Sequence, residues 1–200
     1  MIPKKISKTE IMDLPLGQFE GEIVLVNKPT QIVDVLKVLS GESLIGFDTE
    51  TRPSFTKGNQ HQVALLQLAT KDIAFLIRVN QIGMPGSIIE LLETKQIVKI
   101  GAAVRDDLKA LSKLREKFAP QSFYDLNEEL KRVGFENVGV RNLAAMVLNV
   151  RISKSEQVSN WEAQVLTEKQ MLYAATDAWA CLEIFNKLSY QGYLEGTFNK

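Results

Sequence analysis

The chain has 200 residues, of which 45% are hydrophobic and 24% are charged, so it has the composition of a globular protein large enough to build a full core. Lys and Arg together number 24, and so do Asp and Glu. This balance excludes a polybasic nucleic-acid binder, because such proteins bind through a large positive excess. Any contact with nucleic acid must therefore be local.

Single copies of Cys and His limit the chemistry further. They exclude a disulfide framework, a thiolate zinc cluster and most His-dependent catalytic sites. No stretch approaches the roughly 18 apolar residues of a membrane span, and the first residues do not resemble a signal peptide. We therefore expect an intracellular, cytoplasmic protein that does not contact membranes and works through carboxylates, hydroxyls or backbone groups. No feature of the sequence points to a protein partner.

The predicted elements follow in chain order. Residues 1–20 lack periodicity and are predicted to form an N-terminal arm, and residues 21–200 a single domain. Strands are predicted at 22–26, 43–47, 63–69, 73–79, 97–101 and 122–126. Helices are predicted at 30–41, 87–93, 104–117, 125–132, 141–148 and 167–188. A short turn makes 63–79 an antiparallel hairpin, whereas the later strands alternate with helices. This order predicts an α/β fold with a mixed sheet flanked by helices.

Asp48 and Glu50 follow an apolar strand at a spacing of two residues. In an extended chain, residues two apart point to the same face, so the two carboxylates are expected to converge. The structural alternative is that they begin a solvated loop.

Helical periodicity places Asp106 and Asp107 on different faces of the predicted helix. Asp107 shares its helix face with an apolar stripe, Leu111, Leu114 and Phe118. Asp106 lies with Lys109, Lys113 and Lys117 on a solvated face. Asp107 is therefore the candidate functional residue, because a carboxylate beside a buried stripe is costly unless a cation meets it.

Asp177 lies on an inward face of the long C-terminal helix, and Tyr173 precedes it by one turn. The alternative for Asp177 is a buried carboxylate hydrogen-bonded to a helix cap. Together with Asp48, Glu50 and Asp107, it gives four inward acids that would repel one another in a dry site. Divalent cations relieve that repulsion, and all-oxygen ligation suits Mg²⁺ or Mn²⁺. A pair of such ions is a standard arrangement for phosphodiester cleavage.

Three segments carry a family resemblance: GFDTE (46–50), IGAAVRDDLKAL (100–111) and YAATDAW (173–179). They resemble the three motifs of the DEDD superfamily of 3′–5′ exonucleases, in the tyrosine subgroup and nearest its ribonuclease D and Werner-like branches. The resemblance covers roughly residues 30–190. It implies a ribonuclease H-like fold and a metal-dependent enzyme that removes nucleoside 5′-monophosphates from the 3′ end of DNA or RNA.

The resemblance also implies a role for each site residue. Asp48, Glu50 and Asp177 would hold a first metal ion, which activates water. Asp48 would bridge to a second ion supported by Asp107, and Tyr173 would orient the attacking water.

Other interpretations remain open at this point. One is an exonuclease-like scaffold that binds nucleic acid or protein without cutting it. Another is a haloacid dehalogenase-like phosphatase, because LIGFDTET partly matches that strand motif. Trp161 could stack on a base or lie in the core, whereas His61 is expected to be structural.

Overall fold

The computed structural model describes residues 2–54 and 61–194, and its centre is a six-stranded sheet. The strands are β1 (Glu22–Val26), β2 (Leu44–Thr51), β3 (Val63–Ala69), β4 (Ile73–Ile77), β5 (Val98–Gly101) and β6 (Phe123–Asp125). They lie in the order β1-β4-β3-β2-β5-β6. β3 is antiparallel to both β2 and β4, and the remaining neighbours are parallel. The predicted hairpin and mixed sheet are confirmed.

Helices pack on both faces of this sheet. They are α1 (Lys8–Met12), α2 (Ile32–Leu39), α3 (Val79–Ile82), α4 (Gly86–Glu93), α5 (Val104–Ser112), α6 (Leu126–Arg132), α7 (Val140–Leu143) and α8 (Glu168–Tyr190). A 3₁₀ turn, Pro29–Gln31, precedes α2, and a π-helical turn, Ala144–Leu148, follows α7. α8 begins at the predicted residue because Thr167 and Gln170 form a reciprocal capping box.

Alternation along β2 separates the two layers of the core. Ile45 and Phe47 face the layer that contains α2, α4 and α5. The opposite face lies under α8, where Gly46 allows a very close approach: a Cβ built on it would lie 2.0 Å from the carbonyl oxygen of Ala178. Several predicted boundaries are wrong. β4 ends at Ile77 rather than at residue 79, because Val79 already begins α3. β2 continues to Thr51 because Asp48–Thr51 remain paired with β3, and α5 ends at Ser112 rather than near residue 117.

Residues 2–20 pack against the rest of the chain. Ile2 and Phe19 are buried, and residues 8–12 form α1 with a capping box. The backbone N–H of Gly17 donates to the carbonyl of Arg151 at 2.9 Å, and the N–H of Arg151 donates to the carbonyl of Pro15 at 2.9 Å. The segment is thus more ordered than the absence of periodicity suggested, because it is held by contacts with distant residues. The domain boundary at residue 20 stays a prediction.

We expect Gly46→Ala to destabilise the protein by at least about 1–3 kcal/mol, because the new methyl group would press on the backbone of α8 and overpack the core. Urea unfolding measures the change. Gly86→Ala is the matched control, because a Cβ at this residue of α4 meets no atom within 4 Å among the described residues. It should leave stability unchanged or raise it by up to about 1 kcal/mol. Equal stabilities for the two variants would contradict the close approach.

Candidate active site

The acidic site is built on the central strand β2. Asp48 and Glu50 alternate with Phe47 and Thr49, so both carboxylates lie on the face of the sheet that α8 covers. Asp177 is contributed by α8, one residue before the Ala178 carbonyl that packs on Gly46. The close approach of β2 and α8 therefore places Asp177 beside the two strand carboxylates.

Asp48, Glu50 and Asp177 form a compact cluster. One carboxylate oxygen from each residue can be chosen so that all three lie within 4.8 Å of one another. The sequence predicted that these three acids converge, and the structure brings them together. The solvated-loop alternative for Asp48 and Glu50 is wrong, because both residues lie within β2 and are at least partly buried.

Asp107 lies near this cluster but outside it. It is partly buried in the first turn of α5, and its carboxylate accepts a hydrogen bond from the Thr49 hydroxyl. Its charge still raises the pKa of Asp48, which shows that the two groups interact. Asp106 is exposed, so the predicted helical register is confirmed.

Burial raises the pKa values of all three clustered acids, and neighbouring carboxylates add to this effect at Asp48 and Glu50. Burial is the larger cause for Asp48, followed by the charges of Asp177 and Asp107. Burial and the neighbouring carboxylates raise the pKa of Glu50 to about 10. Burial raises the pKa of Asp177 to about 7, although a hydrogen bond from Tyr173 and the charge of Arg141 act in the opposite direction. The site therefore concentrates negative charge that the surrounding protein only partly compensates.

The donor set fits a hard divalent cation. All three clustered ligands are carboxylates, which suit Mg²⁺ and Mn²⁺. Gln67 of β3 is paired with Asp48 across the sheet, and its fully buried amide has no hydrogen-bond partner among residues 2–54 and 61–194. A buried amide without a partner beside three repelling acids indicates that the polar groups here are incomplete without a bound species.

Tyr173 lies one helical turn before Asp177 and donates a hydrogen bond to its carboxylate. Burial and the neighbouring acids raise the pKa of the phenol, so it remains protonated at neutral pH. The ring lies 6.0 Å, centroid to centroid, from Trp161, which is fully buried. The interpretation that Trp161 stacks on a base is therefore wrong, and its ring instead packs near that of Tyr173. His61 contacts Glu162 at 2.9 Å.

Two further residues at the site were missed by sequence reasoning. Arg141 is the second residue of α7 and lines the same pocket as the three clustered acids. Asp125 ends β6, and its carboxylate accepts from the backbone N–H groups of Ala103 and Val104 at 2.9 and 3.0 Å. It thereby fixes the start of α5, three residues before Asp107. An Asp before the helical pattern LNEEL is a capping signal for α6, but no local pattern indicates either contact.

Comparison with known proteins assigns the chain to a family. A sequence profile described as 3′-5′ exonuclease matches residues 23–192. The chain belongs to the 3′–5′ exonuclease family. It is 33% identical over 201 residues to the bifunctional 3′-5′ exonuclease/ATP-dependent helicase WRN of Mus musculus, covering 94% of this chain and 14% of that protein. It is 33% identical over 165 residues to a putative 3′-5′ exonuclease of Acanthamoeba polyphaga mimivirus, covering 74% of this chain and 40% of that one. The chain thus spans less than half the length of these relatives.

Solved structures establish the fold class within this exonuclease family. The Aedes aegypti Nibbler EXO domain superposes with a TM-score of 0.79 at 23% identity, covering 90% of this chain and 94% of that one. The mixed sheet flanked by helices is thus the predicted ribonuclease H-like fold. The family match also removes the haloacid dehalogenase-like interpretation. Within the described ranges, no helix has the length and hydropathy of a membrane span.

The stability of the metal-free protein should fall as the pH rises. Burial raises the pKa of Asp107 to about 6, of Asp177 to about 7 and of Glu50 to about 10, against about 4 in an unfolded chain. The folded state therefore holds these protons more tightly, and the stability that they provide is lost between about pH 4 and these folded values. Cations compete with protons for the carboxylates, so Mn²⁺ should raise Tm more at pH 8 than at pH 5.

Thermal unfolding with and without Mn²⁺ measures this effect. Asp177→Asn removes one of the repelling charges and should reduce the pH dependence, whereas the exposed Asp106→Asn should retain it. A Mn²⁺-induced rise in Tm that is the same at both pH values would contradict the coupling between protons and cations.

Proposed function

We propose that the chain is a metal-dependent 3′–5′ exonuclease that hydrolyses the terminal phosphodiester bond of a nucleic acid and releases nucleoside 5′-monophosphates. The observation that carries the proposal is the convergence of Asp48, Glu50 and Asp177, beside Tyr173, in one pocket. The pocket volume, about 470 Å³, lies within the range of about 300–1,000 Å³ typical of small-ligand sites. The family match supports the same activity.

Two divalent cations, Mg²⁺ or Mn²⁺, fit the proposed reaction. Asp48, Glu50 and Asp177 would hold the first ion, and Asp48 and Asp107 the second. When bound, such ions lower the pKa of water and stabilise the charges on the attacking and leaving oxygens. The carboxylates supply the charge and the fixed directions that this arrangement requires.

Tyr173 is proposed to orient the attacking water. Its protonated hydroxyl is a poor base, but it is fixed by the hydrogen bond to Asp177 and by the packing of its ring near Trp161. In the hydrolysis, the oxygen of water bonds to phosphorus and the bond from phosphorus to the 3′ oxygen breaks. The 3′ oxygen leaves with a proton as a new hydroxyl, and the water's remaining atoms stay on the released 5′-phosphate.

The test uses single-stranded and recessed-end oligonucleotides of DNA and of RNA, labelled at the 5′ end and digested side by side. We expect shortening from the 3′ end with Mg²⁺ or Mn²⁺, none in a chelator, and recovery when either ion is restored. Nucleoside 5′-monophosphates should be the product. Full activity in the chelator, or cleavage from the 5′ end, would reject the mechanism. A folded protein that binds the oligonucleotides and cations without cutting would support the scaffold alternative.

Asp107→Asn provides the matched test of the site. The Asn side chain can still accept the Thr49 hydrogen bond, so the fold should survive while the negative charge is lost. We expect cleavage to fall at least about 100-fold. Asp106→Asn, a change at the neighbouring exposed position, should retain most of the activity. The opposite result would place the functional carboxylate at Asp106 and contradict the observed register.

Tyr173→Phe should lower kcat about 10²–10⁴-fold, because it removes the hydroxyl that positions the water and retains the ring. KM for the oligonucleotide and the thermal midpoint should change little, since the packing near Trp161 is preserved. Single-turnover rates separate the chemical step from binding. Wild-type rates in this variant would show that the phenol is only a packing residue.

A further inference from the structure

Arg141 is a cation in an otherwise acidic pocket, and the chemistry described above gives it no task. It is the second residue of α7 and lines the pocket together with Asp48, Glu50 and Asp177. Lys154, the other cationic residue that lines this pocket, is exposed, whereas Arg141 is partly buried. Partial burial of the guanidinium costs free energy, because the charged group loses part of its hydration. An interaction within the pocket is therefore expected to compensate this cost.

The guanidinium is held from behind by the backbone. Its Nε–H donates to the carbonyl of Ile152 at 2.9 Å, and Ile152 is itself buried. The preceding residue, Arg151, is hydrogen-bonded through its backbone to Pro15 and Gly17. The acceptor carbonyl is therefore fixed by the N-terminal segment, and the tether restricts the directions in which the rest of the planar group can point.

The remaining donors of Arg141 have no partner in the part of the chain that the structure describes. Among residues 2–54 and 61–194, its two terminal nitrogens make no hydrogen bond and no ion pair within 4.0 Å. Its charge nevertheless acts on Tyr173 and Asp177, so it lies near the cluster without contacting the carboxylates. Four N–H donors thus remain for a group that enters the pocket.

We propose that Arg141 binds the scissile phosphate, which becomes the 5′-phosphate of the released nucleotide. The inference rests on the proposed exonuclease function and adds a direct phosphate contact to it. The planar guanidinium matches two phosphate oxygens at once, and the bonds are strengthened by charge. The negative charge of the acidic cluster repels a phosphate. Metal ions bound there are partly neutralised by the carboxylates that hold them, so the positive charge of Arg141 gives the phosphate an additional attraction.

Two other roles make different predictions. If Arg141 only secured the segment around Ile152, its loss would lower stability and would affect every ligand alike. If it were only a counter-charge for Asp177, its loss would alter cation binding and would not distinguish a phosphate from a hydroxyl on the ligand. Of the three roles, only a direct phosphate contact predicts that loss of Arg141 weakens binding of a phosphorylated ligand and leaves binding of the unphosphorylated ligand unchanged.

The experiment compares a nucleoside 5′-monophosphate with the same nucleoside by calorimetry, in the Mn²⁺-loaded protein. The wild type should bind the monophosphate more tightly. Arg141→Gln should weaken monophosphate binding about 10–100-fold, as expected for the loss of charge-assisted hydrogen bonds, and leave nucleoside binding unchanged. Arg141→Lys, which keeps the charge but loses the fork and the tether, should show an intermediate loss. Arg132→Gln, at an exposed arginine of α6 paired with Glu129, is the control and should behave as wild type.

Binding and cleavage are read separately. If the wild type cuts no oligonucleotide but the preference for the monophosphate depends on Arg141, the proposed function fails and the phosphate site stands. If the wild type cuts and Arg141→Gln keeps the full preference, the inference is overturned and the proposed function stands. An equal loss for both ligands, with Mn²⁺ affinity or Tm reduced in both Arg141 variants, also overturns it.

Discussion

The crowding of buried carboxylates against one another is the constraint on which the site depends. Three carboxylate oxygens lie within 4.8 Å of one another where β2 meets α8. Burial raises the pKa of each of these acids, and neighbouring carboxylates raise the pKa values of Asp48 and Glu50 further. Such an arrangement opposes folding at neutral pH unless protons or cations compensate the charge. The rest of the molecule must therefore hold β2 and α8 together. The close contact of Gly46 with the Ala178 carbonyl serves this purpose.

The supporting contacts come from residues far apart in the chain. Asp125 fixes the start of α5 and thereby the position of Asp107, although 18 residues separate the two. The N-terminal segment is bonded to Arg151, beside the carbonyl that holds Arg141. Phe19 is also tied to α8, because its N–H donates to the Thr176 hydroxyl at 3.1 Å. Residues 2–20 thus bond both to α8 and to the segment whose carbonyl holds Arg141, which gives this irregular lead-in a structural role.

The sequence was informative wherever local periodicity determines the outcome. Alternation placed Asp48 and Glu50 on one face, and helical periodicity separated the partly buried Asp107 from the exposed Asp106. Thr167 with Gln170 marked the start of α8. It was uninformative where a contact joins distant segments. The burial of Trp161 depends on packing beneath α8, and the Thr49 partner of Asp107 lies 58 residues away. The spacing of residues in the sequence does not predict such contacts, since they form only when the sheet and helices assemble.

Three of the four acids, Asp48, Glu50 and Asp177, form the cluster, whereas Asp107 lies outside it. This difference in position has a chemical consequence. Asp48 and Glu50 point toward α8, whereas Thr49 points to the other side of β2 and donates to Asp107. Asp107 therefore approaches the cluster from the α5 side and already shares its carboxylate with a hydroxyl. If two cations bind as proposed, the position formed by Asp48, Glu50 and Asp177 has three carboxylates, while the position formed by Asp48 and Asp107 has two. Because each carboxylate adds attraction for a cation, the second position binds more weakly and depends more on oxygens supplied by the substrate phosphate. On that proposal, complete assembly of the site would depend on the nucleic acid, because β2 directs two of the acids toward α8 and leaves Asp107 on the other side.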